Sequence, residues 1–283
     1  DAYLDAGSVS ARITNASGGN FENLTVNATP AVTQVSDTID TSTVSLSATP
    51  TVGEGGSIVY TASVTAPVTG SPVVVTLANG QTITIAVGQS SGTVSTPVSN
   101  DVYQGHAPVT NSITNVSGGN YENLVGNPAQ VSTSVTDSQD TTTVSLSATP
   151  SVAEGGSIIY TASLTNPAGT PVTVTLSNGQ TITIAANQTS GSVTVAAPGD
   201  DPYIDAGAIS ARITGASGGN FENLAVNGAT VVTQVTDTVD TSTVSLTATP
   251  SVAEGGSIIY TASVAAPGTG SPPVVTLVNG QSI

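Results

Sequence analysis

Cysteine, methionine, tryptophan and lysine are all missing from this chain, and histidine occurs once, as His106. Without cysteine there is no disulfide, no thiolate zinc site and no cysteine nucleophile. A single histidine leaves histidine-based acid–base catalysis almost nothing to work with. Charge is scarce too: 7% of 283 residues are charged, against ~25% in ordinary globular chains. What charge there is has one sign, 18 acids against Arg12 and Arg212, for a net −16. Nothing here could neutralise a run of phosphates, so a nucleic-acid partner is excluded. Attachment to an anionic membrane through a basic patch is excluded for the same reason. No apolar run approaches the ~20 residues of a membrane span, so direct membrane insertion is not expected. No signal peptide opens the chain and Asp1 begins inside a motif, so the sequence reads as an internal segment of something longer.

What is present is repetition. Apolar residues make up 37%, rich in Val and Ile, with aromatics at 3%. That balance favours a folded β protein over disorder. The string DTSTVSLSATPTVGEGGSIVYTAS, from Asp40 to Ser63, returns from Asp140 with changes only at 42, 51, 53 and 59, and again from Asp240. SGGNFENL at Ser17 reappears as SGGNYENL at Ser117 and SGGNFENL at Ser217. The period is 100 residues, too long for a solenoid repeat and right for an independent domain. The boundaries follow: 1–39 is the C-terminal part of one repeat, 40–139 and 140–239 are complete repeats, and 240–283 is the N-terminal part of a fourth. The two end pieces supply too few strands to be stable alone, so neighbouring material in a longer chain or fibre is expected to complete them.

Within a repeat the apolar residues alternate with period two, the mark of half-buried strands. Val44, Leu46 and Ala48 share one face, as do Ile58, Tyr60, Ala62 and Val64. Ile83 and Ile85 alternate with Thr82 and Thr84 after an Asn79–Gly80 hairpin turn. Further strands fall at 72–77, 92–98, 108–115 and 128–136, and no segment carries helical periodicity. Seven short strands per repeat predict an all-β chain of tandem immunoglobulin-like β-sandwiches. Tyr103 and Tyr203, just before the sixth strand, stand where such sandwiches carry a tyrosine corner.

The acids are confined to four recurring slots. EGG holds Glu54, Glu154 and Glu254; DxY holds Asp1, Asp5, Asp101, Asp200, Asp201 and Asp205. GGNxEN holds Glu22, Glu122 and Glu222; DxxD holds Asp37 with Asp40, Asp137 with Asp140, and Asp237 with Asp240. Acids kept for solubility would be scattered over exposed strand faces. In a seven-stranded antiparallel sandwich successive turns alternate between two ends. EGG, DxY and DxxD then share the trailing end, and GGNxEN lies at the leading end, facing the repeat before it. The 137–140 junction should collect Glu54, Asp101, Asp137 and Asp140, with Asn220 and Glu222 reaching back; Asn120 and Glu122 hold the same place one repeat earlier.

Carboxylates gathered without Lys or Arg repel one another. A hard cation with flexible coordination by 6–8 oxygens resolves this, which points to Ca²⁺; Mg²⁺ demands stricter octahedral geometry. The plain alternative is a set of solvated acids in Asx-type turns. In the second copy of DxY, Gly105 replaces Asp5 and Asp205, and Ser112 replaces Arg12 and Arg212. That joint loss suggests Asp5–Arg12 and Asp205–Arg212 salt bridges, and it leaves His106 as an exposed loop residue.

The strings TTTVSLSATPSVAEGGSIIYTASL, VTVTLSNGQTITIAANQTSGSVTV and ISARITGASGGNFENLAVN resemble the tandem repeats of giant bacterial biofilm adhesins of the RTX type. They are also similar to the extender region of a related ice-binding adhesin, and the resemblance covers the whole chain. It implies immunoglobulin-like repeats that bind calcium between domains and build a stalk on the bacterial cell surface. By resemblance, Glu154, Asp201, Asp237 and Asp240 match the calcium pattern, with their counterparts in the other copies. Type I secretion and anchoring rest on the resemblance alone, because no secretion signal, glycine-rich nonapeptide or retention module lies within these residues. The expected function is an extracellular structural extender with no chemistry of its own, partnered by adjacent repeats. The alternative is a carbohydrate- or surface-binding module meeting a surface or extracellular-matrix ligand. A hydrolase using Asp137 and Asp140 as a carboxylate pair lacks any cleft-forming insertion.

Overall fold

A computed structural model describes residues 1–283, with 24 strands and no helix. Two compact units, Asp1–Ser138 and Gln139–Ile283, divide the chain. The first opens with an isolated ribbon, β1 (Gly7–Ala11) antiparallel to β2 (Ala31–Val35). There follow β3 (Thr41–Ala48), β4 (Thr51–Gly53), β5 (Ser57–Val64), β6 (Val73–Leu77), β7 (Thr82–Ile85) and β8 (Ser91–Pro97). Then come β9 (Val109–Asn111), β10 (Ile113–Gly118), β11 (Asn123–Gly126) and β12 (Val131–Thr136).

One layer has the order β11-β3-β5-β8. The other combines β4-β12-β9 with β10-β6-β7, since β9 and β10 are one strand interrupted at Ser112. The antiparallel pairs are in the register the alternation predicts: Val44 faces Val64 and Ala48 faces Tyr60. Val44, Ile58, Ala62, Val73, Val75, Ile83 and Ile85 are fully buried, and Tyr60 nearly so. Burying each larger side chain contributes about 1.5–3 kcal/mol, so the core lies between the layers. The expected β-sandwich is present.

The structure adds two short strands to the seven. β4 pairs in parallel with β12, and β11 in parallel with β3. Each short strand marks a change of layer, near Pro50 between β3 and β4 and again between β11 and β12. Three or four residues are too few for a period-two pattern to register. Asn123–Gly126 also buries only alternate positions partly, so nothing in its composition separates it from a loop.

The second unit repeats this plan. Its strands are β13 (Thr141–Ala148), β14 (Ser151–Ala153), β15 (Ser157–Leu164), β16 (Val172–Leu176), β17 (Thr181–Ile184) and β18 (Ser190–Ala196). They continue with β19 (Gly207–Ala211), β20 (Ile213–Gly218), β21 (Asn223–Val226) and β22 (Val231–Thr236). Val144, Ile158, Tyr160, Val172, Ile182 and Ile184 occupy the core. Thr233 looks misplaced inside it, but its Oγ1 donates to the Thr149 carbonyl at 2.7 Å, as Thr133 does to Thr49. Beyond Asp240 only β23 (Val244–Ala248) and β24 (Tyr260–Val264) form, antiparallel. There Val244 and Leu246 are each 48% exposed, whereas Val44 is fully buried.

Candidate metal centres and repeat-end contacts

At the trailing end of the second unit, Thr236 closes β22 and its carbonyl accepts from Glu154 N at 3.1 Å. That bond ties the EGG turn to the DxxD slot. The Glu154 side chain is tucked beneath the turn, with the residue 8% exposed. Glu154, Asp205 and Asp237 each place a carboxylate oxygen within 4.8 Å of the others. Glu154 Oε2 and Asp237 Oδ1 are buried and receive no hydrogen bond. The Glu154 pKa is pushed up to about 7, first by a hydrogen bond with Asp205, then by burial, then by the charges of Asp205, Asp237 and Asp201. A metal-free cluster relieves its repulsion by holding a proton; a cation would do the same.

The neighbouring acids make contacts of their own. Asp201 Oδ1 accepts from Tyr203 N at 2.9 Å, an Asx turn that sets the direction of the loop. Asp200 Oδ1 accepts from the Thr238 hydroxyl. Asp240 is exposed. No ion pair joins Asp205 to Arg212 or Asp5 to Arg12, and neither arginine takes part in any ion pair. The salt-bridge expectation is thereby overturned. Asp205 lies with Glu154, and Arg212 sits on the far side of β19 in sequence, its N bonded to Ser177 Oγ.

The first unit builds its trailing end differently. Glu54 N donates to the Thr136 carbonyl at 3.0 Å, as in the second unit. Glu54 and Asp137 again bring carboxylate oxygens within 4.8 Å. Where Asp205 would stand there is Gly105, whose N donates to Asp137 Oδ2 at 2.7 Å. His106 then turns inward, with Nε2 3.2 Å from Glu54 Oε1 and the ring 23% exposed. His106 is therefore not the exposed loop residue its setting suggested. Asp101 joins Glu54 and His106 in a second group within 4.8 Å, while its Oδ1 accepts from Tyr103 N at 2.8 Å.

At the leading ends the GGNxEN slots act as clamps. Glu122 Oε2 accepts from Asp40 N at 2.6 Å in the first unit, and Glu222 Oε2 from Asp140 N at 2.5 Å in the second. Asn123 and Asn223 donate to Thr41 and Thr141 Oγ1, each at 3.0 Å. One oxygen of each glutamate is thus committed to pinning the start of β3 or β13. The glycines are backbone requirements: Gly118 has φ +90, and a Cβ there would lie 2.1 Å from the Pro72 carbonyl. Asn220 shares the left-handed turn at φ 55.

Residues 1–5 dock on this loop in the first unit. Leu4 N donates to the Asn120 carbonyl at 3.1 Å, Glu122 N to that of Ala2 at 3.2 Å, and Asn120 Nδ2 to that of Leu4 at 3.0 Å. The Tyr3 ring stacks on Tyr121, centroids 5.6 Å apart, and its hydroxyl donates to the Pro67 carbonyl at 2.7 Å. In the second unit Tyr203 OH donates to the Pro267 carbonyl at 2.8 Å. Both bonds span 64 residues and reach into the next 100-residue period. The tyrosine-corner expectation for Tyr203 is corrected: a corner hydroxyl bonds a few residues upstream within its own sandwich, and this one pegs the following repeat. Identical offsets of the DxY tyrosine and the AP dipeptide were a usable signal, Tyr3 with Pro67 and Tyr203 with Pro267.

Asp1 Oδ1 accepts from Tyr3 N at 2.9 Å, repeating the Asx turn of Asp101 and Asp201. Asp5 is exposed, Asp37 half-buried, and neither joins a metal-binding group.

A tandem array of β-sandwiches on a 100-residue period, with acids gathered at the sandwich ends, defines a tandem-repeat all-β protein. The chain belongs to the LapA domain family, whose model matches residues 1–38, 40–138, 140–238 and 240–283. This is the family of adhesin extender repeats that the sequence resembles. A comparison with curated proteins finds no match. No helix is long and apolar enough to cross a membrane.

Proposed function

We propose that this chain is part of the extender stalk of a secreted bacterial surface adhesin. Its successive repeats are stiffened by Ca²⁺ at acid clusters on their ends, and the stalk supports surface attachment and biofilm formation. The observation that carries this reading is the Glu154–Asp205–Asp237 group, three carboxylates within 4.8 Å with no cation beside them. Two buried oxygens without hydrogen bonds, on Glu154 and Asp237, fit a hard ion that takes oxygen ligands. Bound there, Ca²⁺ would tie the EGG turn to DxxD, the segment that leads to the next repeat. Asp201 and Asp200 shape the loop from which Asp205 projects. Fixing that segment restricts the linker without touching either core.

Extracellular calcium modules bind at ~10⁻⁴–10⁻³ M, so such repeats would be loose inside a cell and stiff outside it. Type I export and an RTX-type parent belong to the same reading, and the family match supports them. The partners are neighbouring repeats, and no catalysis is assigned. A sugar-binding role would need free aromatic platforms, yet within the two complete repeats Tyr60, Tyr121, Tyr160 and Phe221 are buried, and the exposed Phe21 lies in the partial first repeat.

Small-angle scattering of the whole chain in millimolar calcium, then in excess chelator, tests the reading. Chelation is expected to reduce the maximum dimension and increase flexibility while the β circular dichroism stays constant. Scattering that does not change would refute it.

A further inference from the structure

His106 belongs to one copy only; the equivalent positions are Ala6 and Ala206. In the second unit the place beside the EGG glutamate is filled by Asp205, one residue earlier in the DxY slot. In the first unit that residue is Gly105, and the imidazole of His106 fills the vacated space. Beside the EGG glutamate an imidazole has replaced a carboxylate, and the group it joins is Glu54 with Asp101.

The Glu54 side chain is fully buried. Its Oε2 accepts from Ser138 N at 3.3 Å, but its Oε1 receives no hydrogen bond and points at His106 Nε2. A buried carboxylate oxygen facing a ring nitrogen at 3.2 Å, with a second carboxylate within 4.8 Å, brings three potential ligand atoms to one place. Calcium takes oxygen ligands and has little use for imidazole. Zinc binds imidazole and carboxylate at ~2.0–2.2 Å, and two such ligands on a tetrahedral ion lie ~3.3 Å apart. The Glu54–His106 separation is that of one tetrahedral edge.

We propose that Glu54, Asp101 and His106 form a mixed nitrogen–oxygen site for a borderline divalent ion of the zinc class, so that this repeat differs in metal preference from its all-carboxylate neighbour. Three protein ligands leave the fourth position to water. The inference goes beyond the calcium reading and stands without it, because its ligands include the one side chain the other copies lack.

The whole chain is titrated with Zn²⁺ alone while the ring resonances of His106 are followed by NMR. As the sole histidine, its signals need no assignment. Zinc is expected to move the Nε2 resonance to saturation, and millimolar Ca²⁺ is expected not to reverse the shift. His106→Ala, which installs the residue found in the other copies, should weaken the tightest zinc site at least about 10-fold, the lower end of what even a ligand's supporting contact costs. Glu54→Gln, checked for folding by circular dichroism, should do the same, and Co²⁺ should give an intense four-coordinate visible band only in the unmodified chain. Ring signals unmoved at zinc saturation, or equal zinc affinity in His106→Ala, would overturn the site and leave a plain His106–Glu54 contact. Calcium-dependent scattering of the same samples reads the calcium proposal separately.

Discussion

Acidification should strip calcium from the Glu154 group far more steeply than ordinary carboxylates allow. Glu154 holds its proton up to about 7 in the folded protein, against an ordinary 4.5, and a metal ion must displace that proton. If affinity scales with the deprotonated fraction, binding at pH 5 is about 50-fold weaker than at pH 7. A carboxylate at 4.5 would lose only about 1.3-fold over the same range. The sign for metal-free stability is the reverse. Between 4.5 and about 7 the folded state binds more protons than the unfolded one. Stability is therefore fully present below 4.5 and declines as pH rises through that window. Bound calcium removes the decline.

The assay is calorimetric titration of the whole chain at pH 5, 6 and 7, in buffers of different ionisation enthalpy. At pH 6 the Glu154 site should release close to one proton per calcium. Asp205→Asn removes the carboxylate that contributes most to the shift, so the difference between the two proteins isolates this site. An affinity at pH 5 within about 2-fold of that at pH 7 would refute the reasoning, as would a heat at pH 6 independent of buffer.

Tyr203→Phe deletes only the hydroxyl bond to the Pro267 carbonyl, about 1 kcal/mol for a neutral hydrogen bond. Faster amide exchange in the loop around Pro267, with unchanged calcium affinity, is the expected result; unchanged exchange would show the peg to be idle. Gly191→Ala would put a Cβ 2.4 Å from the Thr183 carbonyl, and the overpacking should cost about 1–3 kcal/mol and lower that sandwich's melting temperature by at least ~4 °C. The DxY tyrosine contacts need no metal, so chelation should loosen the repeats while leaving the Tyr3 and Tyr203 hydroxyl bonds protected, as hydrogen exchange or tyrosine ultraviolet spectroscopy can check.

The period, the sandwich and the segregation of acids were legible from residue order alone, because each is written locally. Side-chain alternation in Ile58, Tyr60, Ala62 and Val64 assigns the inner face of β5 without reference to any other strand. Asn79–Gly80 sets its own hairpin turn, and repetition of the four acid slots shows through simple alignment of the chain with itself. Which atoms meet was another matter. Asp205 joins Glu154 and Asp237 instead of Arg212, His106 turns onto Glu54, and Tyr203 reaches Pro267, all across loops in which no period operates. β4 and β11 escaped notice for a related cause: their pairing depends on where β12 and β3 already lie, and three or four residues carry no pattern of their own. A strand's face is set by the geometry of its own backbone, whereas a loop side chain finds its partner only after the layers have packed and brought distant turns to the same end of the sandwich.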